Sequence, residues 1–283
     1  MINAATRLVG ILGYPVEHSL SPLIHNAAFR AQKLNMLYVG LGVPPDRLQQ
    51  AVMGLSALGF VGANVTIPHK SAILPMLDVL SERSRVIGAV NTVVVRDGAL
   101  YGDNTDVAGF LMPLVEHKDR LHGQDMVVLG AGGAARAAVY ALLTAFAPRK
   151  VTIAARRITP AARIAGDMAS FGEVKTTLLA QAAASLEEAY LIVNTTPVGM
   201  HPYVEATPWE VDVIFNEGQL VYDLIYRPRE TRLLRLAAVR GAQILGGLPM
   251  LVGQAAEAYH QWTGHAMPLA AVEKVLEGYV QNA

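Results

Sequence analysis

Residues 126–135 read Met-Val-Val-Leu-Gly-Ala-Gly-Gly-Ala-Ala, a short apolar strand that runs straight into a glycine turn. An alanine-rich helix over 133–145 follows, and a second apolar strand over 150–155 closes a β-α-β unit. Each small residue has a separate task in such a unit. Gly130 permits the tight turn, Gly132 lets a ligand approach the backbone, and Ala135 allows the helix to pack closely on its strand. The free N–H groups at the helix start then point at the space above the turn and favour an anion there. Glycines alone would say little, but Gly130-x-Gly132-x-x-Ala135 between a strand and a helix predicts a Rossmann domain that binds the pyrophosphate of a dinucleotide.

The end of the second strand bears on which dinucleotide. A site for NAD normally places Asp or Glu there, about 20 residues past the glycines, to bind the ribose 2′-hydroxyl. This chain instead has Ala154-Ala155-Arg156-Arg157-Ile158-Thr159-Pro160, with Arg163 a turn later. A guanidinium fork matches a 2′-phosphate and stacks on adenine, so the pattern favours NADP. The competing reading is that these arginines are solvated residues at a helix start.

The rest of the chain repeats the alternation of apolar runs with amphipathic segments. In the first half, strands are expected over 8–12, 37–43 and 62–67 with helices over 22–34 and 45–58. Beyond the glycine turn, a helix is expected from Pro160 to about Phe171, strands over 176–179, 191–194, 220–223 and 243–245, and a helix over 230–240. Such alternation predicts an α/β fold with mostly parallel sheets in two domains. The polar stretch 116–125 reads as a boundary region, and 248–280 is helical by pattern with no strand of its own, so it is expected to pack back on the first domain.

Composition removes several classes of function. Lys plus Arg and Asp plus Glu balance at 23 each, so no basic field favours nucleic acid. There is no cysteine, which excludes disulfides, thiolate metal sites and cysteine nucleophiles and is compatible with a reducing cytoplasm. The apolar run near the N-terminus is too short for a signal-peptide core, and no stretch reaches the roughly 18 apolar residues of a membrane span. A cytoplasmic protein without membrane or nucleic-acid partners is expected.

Four first-half segments are more polar than their places require. Residues 13–26, Gly-Tyr-Pro-Val-Glu-His-Ser-Leu-Ser-Pro-Leu-Ile-His-Asn, place Ser19 and Ser21 on a strand-to-helix loop, although Ser21 before Pro22 also reads as a regular helix cap. Residues 64–70 (Asn-Val-Thr-Ile-Pro-His-Lys) end a strand, 88–92 (Gly-Ala-Val-Asn-Thr) precede one, and 102–106 (Gly-Asp-Asn-Thr-Asp) precede a helix. Ligands of open α/β sheets sit beyond the carboxyl ends of strands, where Lys70 and Asp106 are expected to meet as an acid–base pair. Taken singly, Lys70 is also an ordinary surface lysine and Asp106 an N-cap. His18, His25 and His69 lack metal-ligand spacing and read as packing or supporting residues.

Taken in order, these segments, with 194–200, 221–226 and 247–256, resemble the shikimate dehydrogenase family over nearly the whole length. The resemblance implies NADP-linked interconversion of shikimate and 3-dehydroshikimate, with a substrate-binding and catalytic domain over 1–107 plus 247–283 and an NADP-binding Rossmann domain over 108–246. It implies that Ser19 and Ser21 hold the substrate carboxylate, that Thr66, Asn91, Tyr226 and Gln254 surround the carboxylate or ring hydroxyls, and that Lys70 and Asp106 are the catalytic pair. On the cofactor side it implies Gly130, Ala131, Gly132, Gly133 and Ala134 at the pyrophosphate. Arg156 and Arg163 would meet the 2′-phosphate and adenine with Arg157 beside them, and Thr195, Ile225, Gly247 and Met250 the nicotinamide half. Two departures stand out: Ala155-Arg156-Arg157 replaces the family's common Asn-Arg-Thr, and Pro249 stands where Gly is frequent. A related branch that accepts quinate and NAD carries Arg-Arg followed by an acid, and Ile158 occupies that acidic place. Quinate or dual-substrate activity, and a nucleotide sensor without chemistry, remain the alternatives. A monomer or homodimer is expected.

Overall fold

The computed structural model describes residues 2–209 and 215–281, so the outermost positions of the expected domain limits, 1 and 282–283, lie outside it. The chain divides into two compact units, Met1–Thr105 with Gln254–Ala283, and Asp106–Gly253.

The first unit opens with β1 (Arg7–Gly13), α1 (Ser21–Ala31), β2 (Met36–Gly42), α2 (Leu48–Ala57) and β3 (Gly62–Val65). It continues with β4 (Val79–Leu80), α3 (Glu82–Ile87), β5 (Thr92–Arg96) and β6 (Ala99–Asp103). Its six strands lie in the order β2-β1-β3-β5-β6-β4. Pairings β1–β2, β1–β3 and β4–β6 are parallel, whereas β3–β5 and β5–β6 are antiparallel. The sheet is therefore mostly parallel with an antiparallel hairpin set into it. That hairpin turns on Asp97 and Gly98, both left-handed at φ 51° and 80°, the geometry that Asp-Gly supplies between twisted strands. Helix α1 ends at Ala31 rather than 34, because Lys33 enters the left-handed region at φ 56°.

The second unit holds α4 (Asp106–Leu111), α5 (Lys118–Leu121), β7 (Asp125–Leu129), α6 (Gly133–Phe146), β8 (Lys150–Ala155) and α7 (Ile158–Met168). These are followed by β9 (Val174–Leu178), α8 (Ala183–Glu188), β10 (Leu191–Asn194), β11 (Leu220–Asp223), α9 (Arg232–Val239) and β12 (Gln243–Leu245). All six strands are parallel in the order β12-β11-β10-β7-β8-β9, the doubly wound arrangement whose direction reverses between β7 and β10. Strands β7 and β10 are buried along their whole length, as a sheet covered on both faces requires. Helix α7 begins at Ile158, two residues before the expected Pro160. Proline is tolerated anywhere in the first turn, where N–H groups have no helical partner. Strand β9 likewise begins and ends earlier than the expected 176–179. The polar stretch 116–125 lies within this unit, anchored by the fully buried Leu121.

Two helices end the chain, α10 (Leu248–Thr263) and α11 (Leu269–Gln281), separated at Gly264, which has φ 75°. From Gln254 onward they belong to the first unit, and α11 lies against α1. Tyr259 donates its hydroxyl to Gln32 Oε1 at 2.7 Å, and Gln32 Nε2 donates to the Ala266 carbonyl at 2.8 Å. Trp262 reaches across the sheet to the Val93 carbonyl at 3.0 Å, directly over Gly62. A Cβ at Gly62 would lie 2.2 Å from that carbonyl oxygen and 2.4 Å from the indole nitrogen, so only glycine fits.

Candidate active site

Strands β1 and β3 run parallel, and β5 runs against them. The start of β5 therefore shares an edge with the carboxyl ends of β1 and β3, and so does the end of β6. Gly13, Thr66, Asn91 and Thr105 collect at that edge. The Thr66 N–H donates to the Leu12 carbonyl at 2.9 Å, and its methyl fills the space above Gly13, where a Cβ would come within 2.4 Å. The Lys70 carbonyl accepts the Val90 N–H at 2.8 Å, which ties Lys70 to the neighbour of Asn91.

Asn91 is buried and its amide is fixed in one sense. Its Oδ1 accepts the Thr105 N–H at 2.7 Å and hydroxyl bonds from Thr92 at 3.0 Å and Thr105 at 3.1 Å. A backbone N–H only donates, so this end of the side chain is oxygen and the opposite end is the NH₂ donor. Asp106 is the next residue after Thr105, buried at the first position of α4.

The serines of the first polar loop differ from expectation. Helix α1 starts at Ser21 itself with Leu20 in the N-cap place, and no side chain caps it. Ser19 Oγ accepts the Ser21 N–H at 3.2 Å, a local turn that serves the helix start from one residue further out. Ser21 is thus freed from capping and is buried, with its side chain close enough to Tyr38 to interact with the phenol. Gln254 is also buried, in the part of α10 that belongs to this unit.

The three histidines separate. His18 is exposed. His69 is buried with Nε2 2.7 Å from the Val43 carbonyl. His25 lies on α1 and stacks on Tyr38 at 4.5 Å and 4°. Burial without any polar partner pushes its pKa down to about 3, so it stays neutral. Among the described residues no cluster of His, Asp and Glu could hold a metal.

One residue of the 102–106 segment is fully occupied by structure. Asp103 accepts from Arg83 through Nε at 2.7 Å and also through Nη2, from Ser81 at 2.6 Å, from Gln261 at 2.7 Å and from the Asn104 N–H at 2.8 Å. Burial works to raise its pKa, but the Arg83 and Ser81 bonds outweigh it and hold the carboxyl at about 2. Asp103 therefore pins the end of β6, from which Asn104, Thr105 and Asp106 follow.

In the second unit the glycine turn leaves β7 beside the reversal point. Gly130 sits at φ 107°, and a Cβ there would lie 2.6 Å from Thr195 Oγ1, which itself donates to the Leu129 carbonyl at 2.6 Å. Gly132 is different. Its backbone angles, φ −95° and ψ −168°, suit any residue, and a Cβ would meet nothing within 4 Å. Neither conformation nor packing within the chain calls for glycine there, which leaves room for a ligand as the physical reason. Gly132 is also the N-cap of α6 and brings no side chain to its free N–H groups, while Ala131, Gly133 and Ala134 line the same turn.

The N-terminus of α7 is similarly uncapped, and Arg156, Arg157 and Arg163 are exposed around it. Two uncapped helix starts, one with guanidinium groups beside it, fit the pyrophosphate and 2′-phosphate of NADP. Further along the same edge, the Gly247 N–H donates to the Ile225 carbonyl at 3.1 Å, and a Cβ at Gly247 would lie 2.1 Å from the Leu224 carbonyl oxygen. Tyr226 and Met250 are half-buried next to them in sequence. Under this segment Asp223 accepts from Thr231 at 2.7 Å, Asn194 at 3.0 Å and the Ile225 N–H at 3.1 Å. No cation is among these donors, and burial raises its pKa to about 6.

Residues 11–93 match a family model described as the shikimate dehydrogenase substrate binding domain, and residues 247–277 match that of the shikimate 5′-dehydrogenase C-terminal domain. Shikimate dehydrogenase (NADP(+)) from Salinibacter ruber is 54% identical over 280 residues, which covers 97% of this chain and 98% of that protein. The chain belongs to the shikimate dehydrogenase family. A crystal structure of shikimate dehydrogenase in complex with NADP+ superposes with a TM-score of 0.92 at 39% identity, covering 99% of this chain and 98% of the other. The shikimate dehydrogenase from Thermus thermophilus, in complex with NADP(H) and shikimate, gives a TM-score of 0.86 at 35% identity, covering 96% and 99%.

Within this shikimate dehydrogenase fold, sequence reasoning passed over Tyr38, Thr92, Thr105 and Asp223. Thr92 and Thr105 lie inside segments already singled out as unusually polar, so their signal was present. Tyr38 sits in a run that reads as a half-buried strand, and nothing local distinguishes it from an ordinary core aromatic.

Proposed function

We infer that the protein is an NADP-dependent shikimate dehydrogenase that catalyses the reversible reduction of 3-dehydroshikimate to shikimate in aromatic amino-acid biosynthesis. The observation that carries this reading is the likeness to the Salinibacter ruber shikimate dehydrogenase (NADP(+)) along 97% of the chain. Lys70, Asp106 and an open glycine turn at Gly132 are all in place within that length.

Residues 1–107 with 247–283 form the substrate-binding and catalytic part in this reading, and 108–246 the NADP-binding part. NADP held at the glycine turn of Gly130 and Gly132 would supply the acceptor for a hydride from the carbinol carbon, and NADPH the donor in reverse. Lys70 moves the proton of the reacting hydroxyl, and Asp106 orients Lys70 and balances its charge, work that typically contributes about 10²–10⁴ in rate. Ser19 and Ser21 receive the carboxylate. The fixed NH₂ of Asn91 donates to a ring oxygen, with Thr66, Tyr226 and Gln254 around the same ligand. Arg156, Arg157 and Arg163 supply the cationic surface for the 2′-phosphate, while Thr195, Ile225, Gly247 and Met250 border the nicotinamide half. The enzyme is cytoplasmic and acts as a monomer or homodimer, which light scattering distinguishes.

Initial rates with shikimate and quinate, each against NADP and NAD, test the assignment, and the pair shikimate with NADP is expected to give the highest kcat/KM. Lys70→Ala should keep NADP binding and lose most turnover. Near-normal kcat in that variant removes Lys70 from the chemistry, and absence of NADP-linked shikimate oxidation removes the whole reading. Ser19→Ala should raise KM for shikimate far more than KM for NADP.

A further inference from the structure

Tyr38, on β2, is only 1% exposed and is held from every side. Its main chain is gripped by one side chain: Asn26 Oδ1 accepts the Tyr38 N–H at 2.9 Å, and Asn26 Nδ2 donates to the Tyr38 carbonyl at 2.8 Å. The residue before Asn26, His25, lies flat on the ring, and Trp262 leans against it at 6.1 Å. The second half of the 13–26 segment is thus spent on fixing one tyrosine.

The direction of each hydrogen bond at the Tyr38 hydroxyl follows from its neighbours. Asn64 Nδ2 faces the Asn91 carbonyl and Thr92 Oγ1, both at 3.1 Å, and a carbonyl only accepts. The other end of Asn64 is therefore Oδ1, and it needs a proton. Tyr38 supplies that proton at 2.6 Å. Having donated once, the Tyr38 oxygen keeps its acceptor capacity, and the Ser21 side chain interacts with it. Buried bonds then run from Tyr38 through Asn64 to the backbone of Asn91, with Ser21 beside the Tyr38 end.

We propose that Tyr38 is a positioning residue for the reaction: through its buried hydroxyl it fixes Asn64 and with it the backbone of Asn91, beside Ser21, and so sets the affinity for the carboxylated substrate without touching it. The proposal rests on the assignment of Ser21 and Asn91 to that substrate. Tyr38→Phe keeps the ring and its stack but leaves Asn64 Oδ1 without a donor and Ser21 without its polar neighbour. Asn64 cannot flip to compensate, because its oxygen would then face the Asn91 carbonyl.

Steady-state kinetics of Tyr38→Phe should show KM for shikimate raised about tenfold, with KM for NADP within a factor of two of the wild type. The control is Trp262→Phe, which removes a buried bond from the same aromatic cluster without reaching the Tyr38 hydroxyl. It should lower the unfolding midpoint and leave KM for shikimate unchanged. In a Ser21→Ala background the effect of Tyr38→Phe should shrink, since the group beside Tyr38 is already gone. If Tyr38→Phe is too unstable for kinetics, the shift of its unfolding midpoint by added shikimate, against that by added NADP, reads the same difference. An unchanged shikimate KM, equal rises in both KM values, or full additivity with Ser21→Ala overturns the proposal. A wild-type enzyme inert toward shikimate defeats the functional assignment instead.

Discussion

Gly130 and Gly132 stand two residues apart in one turn, and replacing each by alanine should give opposite results. At Gly132 the backbone angles suit alanine, and the added methyl meets no protein atom within 4 Å. Alanine is a poorer N-cap than glycine by up to about 1 kcal/mol, while the stiffer unfolded chain returns about 0.4–1 kcal/mol. Folding stability should therefore change by less than about 1 kcal/mol. The methyl does occupy the space through which a pyrophosphate must approach the N–H groups of α6. Losing one charge-assisted bond there costs about 1.5–3 kcal/mol, or roughly 10- to 150-fold in Kd. Gly130→Ala instead forces a side chain onto φ 107° and within 2.6 Å of Thr195 Oγ1. Strain and the broken Thr195–Leu129 bond together should destabilise by about 2–4 kcal/mol. Urea unfolding measures the first quantity, and titration of NADPH fluorescence the second. Wild-type NADPH affinity in Gly132→Ala, or a loss of stability there as large as in Gly130→Ala, would falsify the claim that this glycine exists for the ligand.

Three further outcomes can be checked. Arg156→Ala should raise KM for NADP by tenfold or more while barely changing KM for NAD, and equal effects on both cofactors would place Arg156 away from the 2′-phosphate. Gly62→Ala should destabilise the first unit by several kcal/mol, because its Cβ meets a carbonyl and the Trp262 indole at under 2.5 Å; a normal urea midpoint would contradict that packing. Asp223, with its pKa raised to about 6 against about 4 unfolded, binds its proton more tightly when folded. Its contribution is complete below pH 4, is lost as pH rises from about 4 to 6, and amounts to roughly 2–3 kcal/mol. Relative to wild type, Asp223→Asn should therefore flatten stability across that range, and parallel wild-type and variant profiles would refute the assignment.

The nucleotide-binding half was legible because its signals are local. A glycine turn, the strand before it and the helix after it occupy about 20 consecutive residues, and β10 and β11 are buried apolar runs. The first half was harder to read. The Asp97-Gly98 turn is a strong hairpin signal, yet β5 and β6 are short, and the series of β-α-β units around them hid the reversal of direction. Helix ends also drifted where two rules competed, as at Ser21, where a serine before proline is a good cap but Ser19 already stabilises the turn. The segments that hold Thr66, Lys70, Asn91 and Asp106 stood out because polar residues at strand ends are anomalous. The Tyr38 path was not legible, since its bonds join residues 12 to 28 positions apart and no periodicity encodes them.

The grip of Asn26 on Tyr38 also bears on how this protein behaves at high concentration. Strand β2 lies at the rim of its sheet, where main-chain groups on the outer side offer a template to any extended segment of another molecule. One carboxamide occupies the donor and the acceptor of Tyr38, midway along that rim, as a further strand would. An incoming strand would have to displace the amide and lift α1 before it could align with the middle of β2. The side chain that steadies the tyrosine thus also guards the exposed rim of the sheet against intermolecular pairing.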